Sequence, residues 1–372
     1  MEATFWAALA FIAYAYAGYP LAVWALGRRR PETPAPEPAQ WPGVTVVMAA
    51  HNEEGRMAAK LRNLRALDYE PSLLHVIVVS DGSTDGTAAA VAREPGVELV
   101  EIAERRGKPH ALNMALARAT SEVILFTDLR QDLEPTALRA LVRRLLQPGV
   151  GAVSGELVHR QPGTRTAATI GLYWRYEKWI RRAESRLAST VGVTGALYAM
   201  RRADYSPLPE DTILDDFIVP MRLARRGARV LFEPRAIAYD ELQRDMAGER
   251  KRKVRTLTGN FQAFAREPWL FSPARNPIFI QFLSHKVFRL FVPYAMAVLL
   301  AASIVSSGPV YAAAGAAQAA FYGMAAAGAM LPTLRRLRAV SFALVFLELN
   351  WAAVLALRNF ITGGIDARWE KT

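Results

Sequence analysis

The 372-residue chain contains no cysteine. That excludes disulfides and thiolate metal sites, and leaves the redox compartment unread. Acidic residues are also scarce: 34 Asp and Glu face 46 Lys and Arg, for a net charge of +12. Such an excess suits an anionic membrane face, a phosphorylated substrate or nucleic acid. Two phosphate-binding signatures are missing. The first strand-to-helix turn reads Ala49-Ala50-His51-Asn52-Glu53-Glu54, without Gly-x-Gly-x-x-Gly, and no Walker-type loop occurs. No internal repeat is visible.

What is abundant is apolar sequence, at 52%. Residues 5–26 carry no charge and are long enough to cross a bilayer. Arg28-Arg29-Arg30 follow the run, whereas a signal peptide carries its basic residues first. The expectation is an uncleaved span over residues 1–27, with its N-terminus outside and the arginines in the cytoplasm. Residues 290–307, 310–331 and 340–357 lack charge except for Glu348, and predict further spans over 290–358. Arg335, Arg336 and Arg338 fit a cytoplasmic loop between the last two. Three spans would leave the tail, 359–372, outside, yet Arg358, Arg368 and Lys371 pull it inward. Glu348 needs a partner or a wet cavity.

Between these segments the pattern changes. Five prolines within residues 31–42 predict an extended linker over 28–43. Apolar runs at 44–50, 75–80, 97–102, 123–127 and 152–154 read as strands. Helical stretches at 53–67, 84–93, 108–119 and 134–146 alternate with them. This order predicts an α/β domain, a parallel sheet with helices on both faces.

Polar groups then gather at strand ends. The stretch Val76-Ile77-Val78-Val79-Ser80-Asp81-Gly82-Ser83-Thr84-Asp85 is a buried strand breaking into a turn. Asp81 is either a cap or a ligand at the edge where open sheets bind nucleotides. The 51–54 turn and Asp128 lie on the same edge. Arg105-Arg106-Gly107-Lys108 precedes a helix, and a lysine there holds phosphate or forms a solvated turn. Asp215-Asp216 are adjacent carboxylates: one of them serves as a base, or both cap a helix. Residues 244–255 hold Arg244, Arg250, Lys251, Arg252, Lys253 and Arg255. They read as nucleic-acid binding, membrane contact or a pyrophosphate clamp. Tyr173, Trp174, Tyr176 and Trp179 with neighbouring arginines read as an interfacial helix more readily than as a sugar platform.

Six motifs in order resemble the inverting family 2 glycosyltransferases of the GT-A fold, in the membrane-embedded branch of the cellulose, hyaluronan and poly-N-acetylglucosamine synthases. They are Ala49-Ala50-His51-Asn52-Glu53-Glu54, Ser80 to Asp85, Arg106-Gly107-Lys108, Phe126-Thr127-Asp128, Val193-Thr194-Gly195-Ala196-Leu197-Tyr198 and Leu214-Asp215-Asp216. The resemblance implies a GT-A domain over 44–260, interfacial helices over 261–289, and a cytoplasmic site on a bacterial inner membrane. It implies nucleotide-sugar binding by Ala50, Asn52, Glu54, Asp81, Lys108, Asp128, Arg252 and Arg255, with Asp81 near uracil or ribose. Asp216 would be the general base beside Asp215, with Gly195 and Ala196 at the acceptor edge. The donor would be UDP-linked, the acceptor a lipid, a lipid-linked glycan or a polysaccharide, and the protein a possible homo-oligomer; nucleic acid is not implied. A scaffold that binds the nucleotide sugar without turnover is the alternative.

Two departures qualify the resemblance. The metal motif reads Asp128-Leu129-Arg130-Gln131, with arginine for the second carboxylate. A divalent cation (Mg or Mn) on Asp128 and the diphosphate is one expectation; neutralisation of phosphate by Arg130 is the other. Asp132 is differently spaced. The Gln-x-x-Arg-Trp motif of processive synthases has only Arg255 as its counterpart, without the tryptophan.

Overall fold

A computed structural model describes residues 1–30, 35–160, 165–241 and 246–364. Pro31, Pro34, Arg244, Arg368 and Lys371 lie outside the described residues. The chain opens with a helical rod: α1 (Glu2–Ala13) and α2 (Tyr19–Gly27) are joined by a π-turn. Then follow β1 (Val44–Ala50), α3 (Glu54–Arg65), β2 (Leu74–Asp81), α4 (Thr87–Ala92), β3 (Val97–Ile102), α5 (Lys108–Arg118) and β4 (Val123–Thr127). The second half holds β5 (Asp132–Leu133), α6 (Ala137–Leu145), β6 (Val150–Arg160), α7 (Arg165–Leu187), β7 (Leu197–Arg201), α8 (Asp215–Arg225), β8 (Arg229–Glu241) and α9 (Met246–Arg266). A short α10 (Phe279–Gln281) runs through a π-turn into α11 (Phe288–Val305), followed by α12 (Pro309–Met330) and α13 (Arg338–Ile361).

One eight-stranded sheet has the order β3-β2-β1-β4-β7-β6-β8-β5. The first four strands are parallel, as expected. The wholly parallel expectation is corrected by β7, which runs antiparallel to both β4 and β6. Alternation along the strands divides the core. Val46, Met48 and Ala50 pack with Met57 and Leu61 of α3 and Leu138 of α6. Val47, Ile77 and Val79 pack with Leu112 of α5 and Phe217 of α8 on the opposite face. Chain order reverses between β1 and β4, so a crevice opens at their carboxyl ends, where such sheets take ligands.

Among the described residues three helices are long and apolar enough to cross a membrane: Glu2–Gly27, Phe279–Val305 and Arg338–Ile361. The expected span at 310–331 folds as α12 but is not among them, because Gln318, two tyrosines and three glycines dilute its apolar character. α11 and α12 run antiparallel: Gln318 Nε2 donates to the Met296 carbonyl at 2.8 Å, while a Cβ on Gly315 would sit 3.4 Å from Ser303. α13 runs parallel beside α9. Arg250 pairs with Glu348 at 3.5 Å, Thr258 Oγ1 donates to the Ala356 carbonyl, and Phe261 stacks on Phe360. Glu348 thus has its cationic partner.

Candidate active site

The strand-end turns are stitched to one another. Asp81 is fully buried, and its carboxylate accepts the backbone N–H groups of Arg106 and Gly107, each at 2.8 Å. Gly82 sits at φ +59, and a Cβ there would meet the Arg105 nitrogen at 2.4 Å. Asn52 Oδ1 accepts the Thr84 N–H at 2.7 Å, and Glu54 Oε2 accepts the Gly86 N–H at 3.0 Å. Asn52 itself takes a positive φ of 56, which asparagine tolerates. Ala50 is buried within β1. Ala50, Asn52, Glu54 and Asp81 therefore form the framework beneath the site, and Ala49 and Glu53 line the cavity instead. Asp81→Ala should orphan the buried Gly107 amide and the half-buried Arg106 amide and lower stability by about 1–3 kcal/mol, read as an earlier thermal unfolding midpoint in detergent.

The framework delivers Lys108. Gly107, at φ +100, turns the chain into α5, and Lys108 Nζ lies 2.9 Å from Asp128 Oδ1 and 3.7 Å from Asp215 Oδ2. Asp215 and Asp216 form the first turn of α8, where the helix dipole favours negative charge. Burial, then the neighbouring Asp215 charge, pushes the Asp216 carboxyl up from 3.8 to about 6, against Lys286, Lys108 and Arg181. Burial pulls the Lys108 ammonium down, but Asp128, Asp215 and Asp216 outweigh it and hold it above the ordinary lysine value. A Cβ on Gly195 would lie 3.6 Å from Asp216 Oδ2 and 3.7 Å from Lys108 Nζ, so the 195–196 turn abuts both groups.

These side chains border one cavity of about 900 Å³. Lys108, Asp128, Asp215, Asp216, Gly195, Ala196, Arg252 and Arg255 all line it, so eight of the twelve expected site residues converge there. The cavity continues past Tyr16 and Leu290 to Phe346, Asn350 and Ala353, on the helices of the candidate spans.

Sequence reasoning missed several of its walls. Tyr173, Glu177 and Arg181 of α7 lie four residues apart, on one helical face, and that face borders the cavity. On this helix Tyr173 and Trp174 line the cavity, while Tyr176 and Trp179 pack against Tyr19 and Val23 of α2. The spacing was the available signal. Behind them His285 bridges two carboxylates, Glu177 at 3.0 Å and Glu184 at 2.8 Å, and Arg289 also pairs with Glu177. Burial would raise the Glu177 carboxyl, but Arg289, His285 and Lys253 hold it well below its ordinary value.

A two-carboxylate cation site does not fit these residues. Asp128 already pairs with Lys108, Arg130 stands at the second position, and Asp132 lies 3.6 Å from Arg160. Among the described residues no group of three His, Asp or Glu side chains could hold a metal ion.

A mixed α/β sheet with an acid pair and cations at its carboxyl edge fits the GT-A glycosyltransferase fold, which comparison with known proteins bears out. The chain matches the profile Glycosyl transferase family 2 over residues 45–206, and Glycosyl transferase family group 2 over residues 128–355. It belongs to the family 2 glycosyltransferases and is an enzyme of that class. It is 25% identical over 240 residues to a poly-beta-1,6-N-acetyl-D-glucosamine synthase of Staphylococcus aureus, covering 60% of this chain and 56% of that protein. The Staphylococcus epidermidis synthase is 23% identical over 248 residues, covering 63% and 58%. The chain thus spans little more than half the length of these curated relatives. Among solved structures, a mannosyltransferase from Pyrobaculum calidifontis, in complex with GDP-mannose and Mn2+, superposes with a TM-score of 0.72. It is 27% identical, with 96% of this chain and 99% of that one covered.

Proposed function

We propose that the enzyme transfers a sugar, with inversion, from a nucleotide-diphosphate sugar to the hydroxyl of a lipid-bearing acceptor at the membrane surface. One observation carries this reading: the cavity joins a cationic, acid-lined end to apolar walls on the candidate spans. The diphosphate would lie against Lys108, Arg252 and Arg255, as charge-assisted hydrogen bonds favour. Asp216, titrating near 6, would take the acceptor proton. The anomeric carbon would lie between Asp216 and the departing diphosphate, so attack and departure fall in line. Gly195 and Ala196 would border the acceptor. Such chemistry needs no covalent nucleophile.

The relatives supply two donor precedents, a GDP-sugar and the donor of a polysaccharide synthase. Purified enzyme in native-lipid nanodiscs, offered UDP- and GDP-sugars, should yield a glycosylated species that extracts with lipid. Mass spectrometry that finds sugar only on water-soluble polymer would overturn the acceptor assignment.

For the chain as a whole we propose a span over residues 1–27, a linker over 28–43 and a cytoplasmic transfer domain over 44–260. α13 lies along the domain's α9 at the cytoplasmic face, supported by the parallel contacts from Glu348 to Phe360. α12 by itself falls short of a candidate span and α13 does not, but with α12 crossing as the partner of α11 in an antiparallel hairpin, and α13 held at the face by α9, the clusters at Arg28–Arg30 and Arg335–Arg338 and the residue Arg358 all fall inside. The chain has no cysteine, so introduced cysteines report alone. Thr362→Cys and Arg30→Cys should react with an impermeant maleimide only in inside-out vesicles. Labelling of Thr362→Cys from the outside would reverse the assignment of α13.

A further inference from the structure

Arg130 stands two residues after Asp128, where the resembled metal motif carries its second aspartate. Its Nη2 donates to Asp240 Oδ2 at 2.8 Å; the Asp240 side chain has no solvent exposure, while Arg130 keeps 30%. Gln131 Nε2 donates to the same oxygen at 3.0 Å. Arg130 and Asp240 both border the cavity beside Asp128 and Lys108. A fully buried carboxylate is unfavourable unless paired. The pairing makes Arg130 a built element of the wall rather than a loose surface substitution.

Charge counting gives the pairing a purpose. Two carboxylates with one divalent cation sum to zero. Asp128 with Arg130 sums to zero without a cation. Asp240 adds one negative charge, and buried Lys60 adds one positive charge behind the same turn, donating to Thr127 Oγ1 at 3.0 Å and the Gln131 carbonyl at 2.6 Å. These four described side chains together have the same net charge as two carboxylates with a bound dication. A dication placed on Asp128 would meet the Lys108 ammonium, 2.9 Å from that carboxylate, on a wall that Arg130 also borders, where like charges repel. A guanidinium, by contrast, offers a planar fork that matches phosphate oxygens.

We infer that Arg130, held by Asp240, replaces the divalent cation at the donor diphosphate, so that this enzyme binds its nucleotide without metal. The inference rests on the nucleotide-diphosphate donor proposed above. It separates this chain from the Mn2+-bound mannosyltransferase that it resembles in fold.

The test is calorimetric titration of the full-length protein in detergent with GDP and with UDP, after EDTA treatment and again with excess Mn2+. The dissociation constant of whichever nucleotide binds should shift by less than about three-fold between conditions. The double substitution Arg130→Asp with Asp240→Asn restores two carboxylates and removes the orphaned counter-charge. It should bind about ten-fold or more weakly in EDTA and recover with Mn2+. Arg130→Lys, which keeps the charge, should stay metal-independent and serves as the folding control. Wild-type binding weakened ten-fold by EDTA and restored by Mn2+ would overturn the inference and leave the donor proposal standing. No saturable binding of either nucleotide in either condition would overturn both.

Discussion

Asp216→Asn is expected to lower kcat by about 10³-fold, within the range for loss of a positioned general base. The same change should stabilise the fold. In the native protein Asp216 titrates near 6, raised from 3.8. A raised carboxyl favours its protonated form, so its stabilising contribution is complete below the unfolded value and is lost as pH rises through 6. At pH 7 the ionised group therefore destabilises the fold, by an amount on the order of 3 kcal/mol. The asparagine, never ionised, escapes that penalty. A later unfolding midpoint together with lost turnover would mark a residue kept for chemistry against stability. Turnover within ten-fold of wild type would remove Asp216 from the base role. The companion change Asp215→Asn removes the neighbouring charge that helps raise Asp216. It should move the acid limb of the kcat profile from near 6 to lower pH, with a smaller loss at pH 8.

The first four strands were legible because each is a short β-branched run bounded by turn residues. β1, β3 and β4 match their expected limits, and β2 extends by one residue at either end. β7 and β8 were not legible in the same way. β7 enters the sheet antiparallel after a 36-residue excursion from β6, and no local pattern encodes the direction of a strand arriving from that distance. The site divides similarly. Motif order found Lys108, Asp128, Asp215 and Asp216, whose spacing within their own turns is chemical. It could not show what else holds the other carboxylates: Asp81 and Glu54 accept amides 25 and 32 residues away, pairings that only the fold makes. Asp240 carried no signal at all: it is one of two adjacent acids at the end of a strand, Asp240-Glu241, and only the fold brings it to Arg130 across 110 residues.

Lys108→Met should rank next to the loss of Asp216. The described ion pairs of both Asp128 and Asp215 run to Lys108. Its charge also holds down the pKa of Asp216. Without it, three carboxylates face the cavity with one shared cation fewer. The side chain of Asp215 is largely buried, so an unmatched charge remains in a poorly solvated place. Two kinetic consequences follow. Asp216 should titrate above 6, so the acid limb of the kcat profile moves to higher pH. At the alkaline plateau kcat should still fall by about 10²-fold or more, the scale for removing one fixed electrostatic contact to developing charge. Raising the pH should then recover only part of the activity, because deprotonating the base does not replace the lost cation at the diphosphate. Lys108→Arg preserves charge but replaces a compact ammonium with a larger planar head, and should restore the limb more fully than the plateau. The limb and plateau thus separate the two roles assigned to one ammonium. An unshifted limb in Lys108→Met would mean that Lys108 does not tune the base, and an unchanged plateau that it does not meet the leaving group.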